Sequence, residues 1–131
     1  MNRSIEPIWI DSAVVIAIHK RQIAEHGGSE GIRDNGLLES ALFRPKNQFS
    51  YAKPSIFDLA AAYAFGIAMN HPFVDGNKRT SYIVMRTFLI LNGYDIDALI
   101  AEKYATWIRL ADNRISEAEL ANWIEEKSIK K

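Results

Sequence analysis

Residues 55–79 read SIFDLAAAYAFGIAMNHPFVDGNKR, and this stretch decides the fold. Ser55 followed three residues later by Asp58 resembles a capping box, the reciprocal pairing of side chains and backbone that starts a helix. The run IFDLAAAYAFGIAMN that follows, through about Asn70, is apolar on nearly every side. That pattern marks a helix buried all round, which needs a shell of other elements to cover it. Gly66 inside it costs about 1 kcal/mol relative to Ala, so a close helix packing at that point is expected. HPFVDGN then interrupts the pattern. Pro72 and Gly76 are breakers, and Asp75 or Asn77 is placed to cap the next helix.

Reading outward from this centre, the pattern stays helical. KRTSYIVMRTFLILN (78–92) is a helix closed by Gly93. A further helix spans about Ile96 to Leu110. The last begins at Ser116, whose partner Glu119 completes a second capping box, and carries Leu120, Trp123 and Ile124. On the N-terminal side, Asp11 is a good N-cap for a helix to about His26, stopped by Gly27-Gly28. Its Val14, Val15, Ile18 and Ile23 lie near one face. Residues 29–34 read as loop. A short helix over about Asn35 to Arg44 turns Leu37, Leu38, Ala41 and Leu42 inward and ends at Pro45. Residues 45–54 form a polar loop between two prolines, with Phe49 and Tyr51 inside it. Residues 5–10 are extended, and Pro7 bars them from a central strand. No strand pair reads from the chain. The expected fold class is all-α: a compact bundle of about six helices in one domain, 1–131, with the HPFVDGN loop feeding a central helix.

Composition narrows the function classes. The 131 residues carry 16 basic and 16 acidic side chains, so the net charge is zero, and 48% are hydrophobic. A chain of this length buries enough surface to fold without metals or disulfides. The charge balance argues against a partner gripped by bulk electrostatics, whether nucleic acid or an anionic membrane. Cysteine is absent, which removes a disulfide framework, a thiolate metal site and a cysteine nucleophile. Glu6 and Asp11 interrupt any apolar run in MNRSIEPIWIDSAVV, so no signal peptide reads there. The uncharged run through Leu59–His71 is too short to span a bilayer. A soluble protein of the cytoplasm is expected.

The chemistry concentrates in His71–Arg79, HPFVDGNKR. A loop entering a helix N-terminus presents unpaired backbone N–H groups and the positive end of the helix dipole. Gly76 allows close backbone approach, and Asn77 adds an amide donor. Lys78 and Arg79 place two cations in the first turn, where they oppose the dipole. Helix stability alone favours Asp or Glu there. An anion, most simply a phosphate chain, accounts for the arrangement. His71 supplies an imidazole that can take a proton from an attacking hydroxyl. Asp75 offers a hard oxygen ligand, and one carboxylate with substrate phosphates is a usual way to hold Mg²⁺. Phosphoryl or nucleotidyl transfer needs this set, since its catalysis is positioning and charge neutralisation. The plainer alternative stays open on these residues alone: His, Pro, Asp, Gly and Asn are ordinary turn formers, and Lys-Arg pairs are commonly solvated.

HPFVDGNKR resembles the signature of the Fic/Doc family, HxFx(D/E)(G/A)N(G/K)R, at nine contiguous positions. GIRDNGLLESALFRP (31–45), DLAAAYAFGIAMNHPF (58–73) and FLILNGY (88–94) are similar to segments of its small death-on-curing toxins, so the resemblance covers roughly residues 5–95. It implies an all-α bundle and the following roles. His71 is the general base, Phe73 anchors the loop in the core, and Asp75 is the Mg²⁺-associated carboxylate. Gly76 and Asn77 form the anion turn, and Arg79 contacts phosphate. Lys78 stands where AMP-transferring members carry glycine and matches the lysine of the death-on-curing branch. Those members also carry a second arginine three residues after the first, where this chain has Tyr82. Arg86, one turn further on, is the cation left to stand in for it. Both departures favour transfer of the γ-phosphate of ATP to a Ser or Thr hydroxyl of a target protein. By resemblance that target is elongation factor Tu, and its modification stops translation. The alternatives are an AMP or nucleotidyl transferase and a non-catalytic nucleotide-binding module. Gly76, where the branch's type member has alanine, and His71-Pro72 follow the wider Fic pattern. No (S/T)xxxE(G/N) inhibitory helix reads in the chain, which implies inhibition in trans by an antitoxin of the Phd type.

Other residues carry weaker expectations. His19 and His26, seven apart on one helix face, read as surface or interface residues. The loop 45–54 is either a plain surface loop or, by resemblance, the flap that aligns a target backbone beside the motif. Arg33-Asp34 reads as a local ion pair, Trp107 and Trp123 as core, and KSIKK (127–131) as a frayed end.

Overall fold

The computed structural model describes residues 5–131. The elements in chain order are α1 (Ser12–His26), α2 (Asn35–Tyr51), α3 (Ile56–Asn70), α4 (Asn77–Leu91), β1 (Tyr94–Ile96), α5 (Ile100–Ala111), α6 (Glu117–Lys127) and β2 (Ser128–Lys130). The fold is all-α, with one small sheet. None of the helices among the described residues is long and apolar enough to cross a membrane. The first four residues of the segment read for a signal peptide lie outside the described ones.

α3 is the axis of the bundle, packed against α2, α4, α5 and α6. Its capping box forms: the Ser55 hydroxyl accepts from Asp58 N–H, and the Asp58 carboxylate accepts from Ser55 N–H. Leu59, Tyr63, Ile67 and the alanines between them are sealed from solvent, and Phe88, Leu89, Leu110, Leu120 and Ile124 pack against them. The Tyr63 hydroxyl accepts from Ile10 N–H at 3.0 Å, which ties the N-terminal segment to the core. Burial pushes this phenol above its usual pKa, so it stays neutral. Gly66 is where α2 comes closest. A Cβ there would stand 3.2 Å from both Cα and Cβ of Ala41.

α2 does not end at Pro45. It continues six residues further to Tyr51, with Pro45 buried inside it. A proline within a helix costs about 3 kcal/mol, through a lost hydrogen bond and a ring clash. Tertiary contacts on either side of the proline offset that cost. Arg44 pairs with Glu117 of α6 and lies over the Phe65 ring. Gln48 donates to Glu117 at 2.8 Å, and Phe49 packs edge-on against Trp9. The expected loop 45–54 shrinks to residues 52–55.

The C-terminal third differs from expectation in a second way. Ile96 ends a strand, Tyr94–Ile96, rather than starting a helix, and α5 begins at Ile100. β1 pairs antiparallel with β2 in the register Tyr94↔Lys130, Asp95↔Ile129 and Ile96↔Ser128. The KSIKK end is therefore held in a sheet, not frayed. Asp97 N–H and Lys131 N–H extend the pairing, to the carbonyls of Lys127 and Gly93. Trp107 is buried as expected, with Trp123 half-buried against it at 5.8 Å.

Candidate active site

His71, Asp75, Gly76, Asn77, Lys78 and Arg79 all border one open cavity of about 280 Å³, together with Val74. A larger concavity of about 500 Å³ lies elsewhere, between the end of α2 and α6, and contains no motif residue. The motif pocket is assembled from two helix ends. α3 stops at His71, whose backbone is left-handed (φ 49°), and α4 starts after Gly76, also left-handed (φ 76°). His71 is exposed, Phe73 is sealed in the core and Pro72 is buried.

Neither Asp75 nor Asn77 caps α4. Gly76 is the N-cap residue and no side chain closes the helix end. The Asn77 carboxamide turns back instead, accepting from Phe73 N–H and donating to the Phe73 carbonyl, both at 3.0 Å. It staples the loop; its contribution to an anion is its backbone N–H. The N–H groups of Asn77, Lys78 and Arg79 have no acceptor among the described residues. Among those residues, Lys78 and Arg79 also form no ion pair. Three backbone donors, the dipole end and two uncompensated cations thus converge on one cavity, the arrangement expected of a phosphate site.

Asp75 is exposed at the rim. Its Oδ1 accepts from Gly76 N–H at 2.9 Å and its Oδ2 from Ser29 N–H at 3.2 Å. Each oxygen keeps lone-pair capacity, so the carboxylate can still bind a cation. No cluster of three or more His, Asp or Glu able to hold a metal occurs among the described residues. The donor set therefore fits Mg²⁺ only where substrate phosphates supply the remaining ligands, which is the usual Mg²⁺ mode.

Four features of the surroundings were not foreseen. First, residues 29–34 lie along the motif loop as a short backbone ladder. Gly31 O accepts from Val74 N–H at 3.1 Å, and Pro72 O accepts from Arg33 N–H at 2.7 Å and Asp34 N–H at 3.1 Å. Gly28, just before this segment, passes close to Asp75: a Cβ there would stand 2.8 Å from Oδ2. The segment beside the motif is thus 29–34. Of residues 45–54, read as plain loop or flap, 45–51 are helical and none borders the motif pocket. Second, Arg33 and Asp34 do not pair. The Arg33 guanidinium donates to the carbonyls of His71 (2.7 Å) and Asn70 (2.8 Å), while Asp34 caps α2 through Leu37 N–H. Third, His19 is buried rather than a surface residue, and stacks on Phe73 with 3.8 Å between ring centroids. Fourth, a second cavity of about 310 Å³ shares Lys78 and Arg79 with the first. His26, Tyr82, Ile83, Ile100, Tyr104 and Trp107 also border it, and the Lys78 ammonium lies over the Tyr104 ring. Arg86 reaches neither cavity. It forms a two-pronged pair with Asp95 (2.8 and 3.0 Å), so it does not replace the arginine absent at Tyr82.

A model of the Fic/DOC family matches residues 9–89, which contain the whole motif pocket and the 29–34 segment beside it. The chain belongs to the Fic/DOC family. It is also 43% identical over 74 residues to a protein named Toxin Doc from Mycolicibacterium smegmatis (strain ATCC 700084 / mc(2)155). That match covers 55% of this chain and 57% of the other. The Fic/DOC signature accounts for the motif pocket. Family membership also supports transferase chemistry at a nucleotide in general terms. The signals for the unforeseen parts were present but undirected. Gly27, Gly28 and Gly31 marked a chain that turns closely against something, and His19 stood with Gln22 among Val15 and Ile23 on the inner face of α1.

Proposed function

We propose that this Fic/DOC protein is the toxin of a toxin–antitoxin pair and a protein kinase. It transfers the γ-phosphoryl group of ATP to a Ser or Thr hydroxyl of a translation factor, elongation factor Tu by the family resemblance, and so stops translation in the cytoplasm. One observation carries the reading. A histidine, a carboxylate, and three backbone N–H groups and two cations without partners among the described residues share a single cavity. Phosphoryl transfer asks for that combination.

His71 accepts the proton of the target hydroxyl as its oxygen bonds to the γ-phosphorus. The bond from that phosphorus to the β,γ-bridging oxygen breaks and ADP leaves. The imidazolium then returns its proton to solvent. The first-turn N–H groups of α4, with Lys78 and Arg79, hold the phosphate charge in place. A magnesium ion, bound through Asp75 and phosphate oxygens, would supply further neutralisation. The adjoining cavity beside Tyr104 offers an aromatic wall and space for the rest of the nucleotide. Two features support phosphoryl over AMP transfer: Lys78 occupies the turn where AMP-transferring members have glycine, and no arginine stands at position 82 or reaches that place from Arg86.

Control falls to a partner antitoxin of the Phd type acting in trans. The test is expression in a bacterial host. The unaltered chain arrests growth, His71→Ala does not, and co-expression with the cognate antitoxin restores growth. A host that grows normally with the unaltered chain would refute the toxin reading.

A further inference from the structure

We propose that His19 is a positioning residue that locks the Asp75–Gly76 peptide and so keeps the anion turn in its binding orientation. This rests on the nucleotide-transfer reading of the motif pocket and deepens it. The His19 side chain is 2% exposed and lies under the turn. Its ring is nearly parallel to Phe73, at 6°, and its Nε2–H donates to the Asp75 carbonyl at 2.8 Å. The acceptor is a carbonyl, so Nε2 must carry the proton.

In a trans peptide the C=O and N–H point in opposite directions. With the Asp75 carbonyl drawn inward to His19, the Gly76 N–H is turned outward, where it meets the Asp75 carboxylate. A flip of this one peptide would turn the Asp75 carbonyl oxygen toward the anion and break the bond from Gly76 N–H to the Asp75 carboxylate. Such a flip is easy on the N-terminal side of a glycine that tolerates either sign of φ, and Gly76 sits at φ 76°. Nothing else among the described residues holds the Asp75 carbonyl. The stack on Phe73 fixes the ring, and the hydrogen bond fixes the peptide.

Two substitutions separate these contributions. His19→Gln keeps a donor at about the same reach and loses the stack. His19→Phe keeps a flat ring and loses the donor. Binding of the Mg²⁺ complex of a β,γ-imido ATP analogue is measured by calorimetry, with thermal unfolding followed in parallel. His19→Phe is expected to bind about tenfold more weakly and His19→Gln within threefold of the unaltered chain, whatever their melting temperatures. Equal affinity for His19→Phe and the unaltered chain, or equal losses in both variants, overturns the proposal. Should His19→Phe fail to fold, nitrogen NMR of the unaltered chain decides. A neutral ring protonated at Nε2, whose signal moves when the analogue is added, supports the proposal, and the Nδ1–H tautomer overturns it. Failure of the transfer reading looks different: the unaltered chain itself fails to bind the analogue, and the tautomer alone then judges the peptide lock.

Discussion

At the scale of single residues, the motif pocket depends on side chains outside the motif. His71 stands at the end of α3 in a left-handed conformation that non-glycine residues seldom adopt. Arg33 holds it there by bonding the carbonyls of His71 and Asn70, which the helix leaves without partners. Its charge also complements the negative end of the α3 dipole. Arg33→Ala is expected to destabilise the fold by about 1–2 kcal/mol, seen as a lower urea midpoint with the slope unchanged. It also lowers kcat for the proposed transfer while the nucleotide Kd stays the same, and Arg33→Lys recovers part of both. Unchanged kcat in Arg33→Ala would show that the base needs no such support. The nine-residue motif was legible because its residue types are informative one by one. Arg33 and His19 were not, because their roles depend on which carbonyl lies opposite them. Adjacent opposite charges at 33–34 suggested a local pair, yet each side chain finds a backbone group that needs it more.

At the scale of elements, capping chemistry and hydrophobic periodicity carried most of the reading. Asp11, Ser55 and Ser116 all cap the helices they were expected to start. α3 spans the residues its apolar run suggested. The errors fall where tertiary contacts override local preference, at Pro45 inside α2 and at β1. A three-residue strand has too few positions to show alternation, and its partner lies more than thirty residues away. Two predictions belong here. Gly66→Ala gains about 1 kcal/mol of helix propensity. It also pushes a Cβ against the Ala41 backbone, and overpacking of that kind costs about 1–3 kcal/mol. The clash is with main chain, so the variant should have a lower melting temperature; a raised one would mean that α2 can shift freely. The second concerns the Arg86–Asp95 pair, which ties α4 to β1. The Arg86 guanidinium holds the Asp95 carboxyl below the usual carboxylate range, with a further contribution from Ile96 N–H. A depressed pKa adds stability that is present above the unfolded value, near 3.9, and is lost as pH falls through the folded one. Asp95→Asn should therefore flatten the stability curve below about pH 4 and be less stable than the unaltered chain at pH 7. An acid limb identical in both would contradict the pair's role.

At the scale of the whole molecule, zero net charge conceals a local imbalance. The acidic and basic side chains balance over the chain, but Lys78 and Arg79 at one helix end form no ion pair among the described residues. That concentration of positive charge, beside a histidine and a carboxylate, is the basis of the transfer reading, and Lys78 with Tyr82 in place of a second arginine makes it a kinase reading. It predicts which phosphate of ATP is transferred. The most direct test incubates the protein with a bacterial extract and ATP labelled at either the α- or the γ-phosphate. The account predicts a labelled protein band from γ-labelled ATP only, absent with His71→Ala. Label retained only from the α-phosphate would contradict it and establish AMP transfer instead.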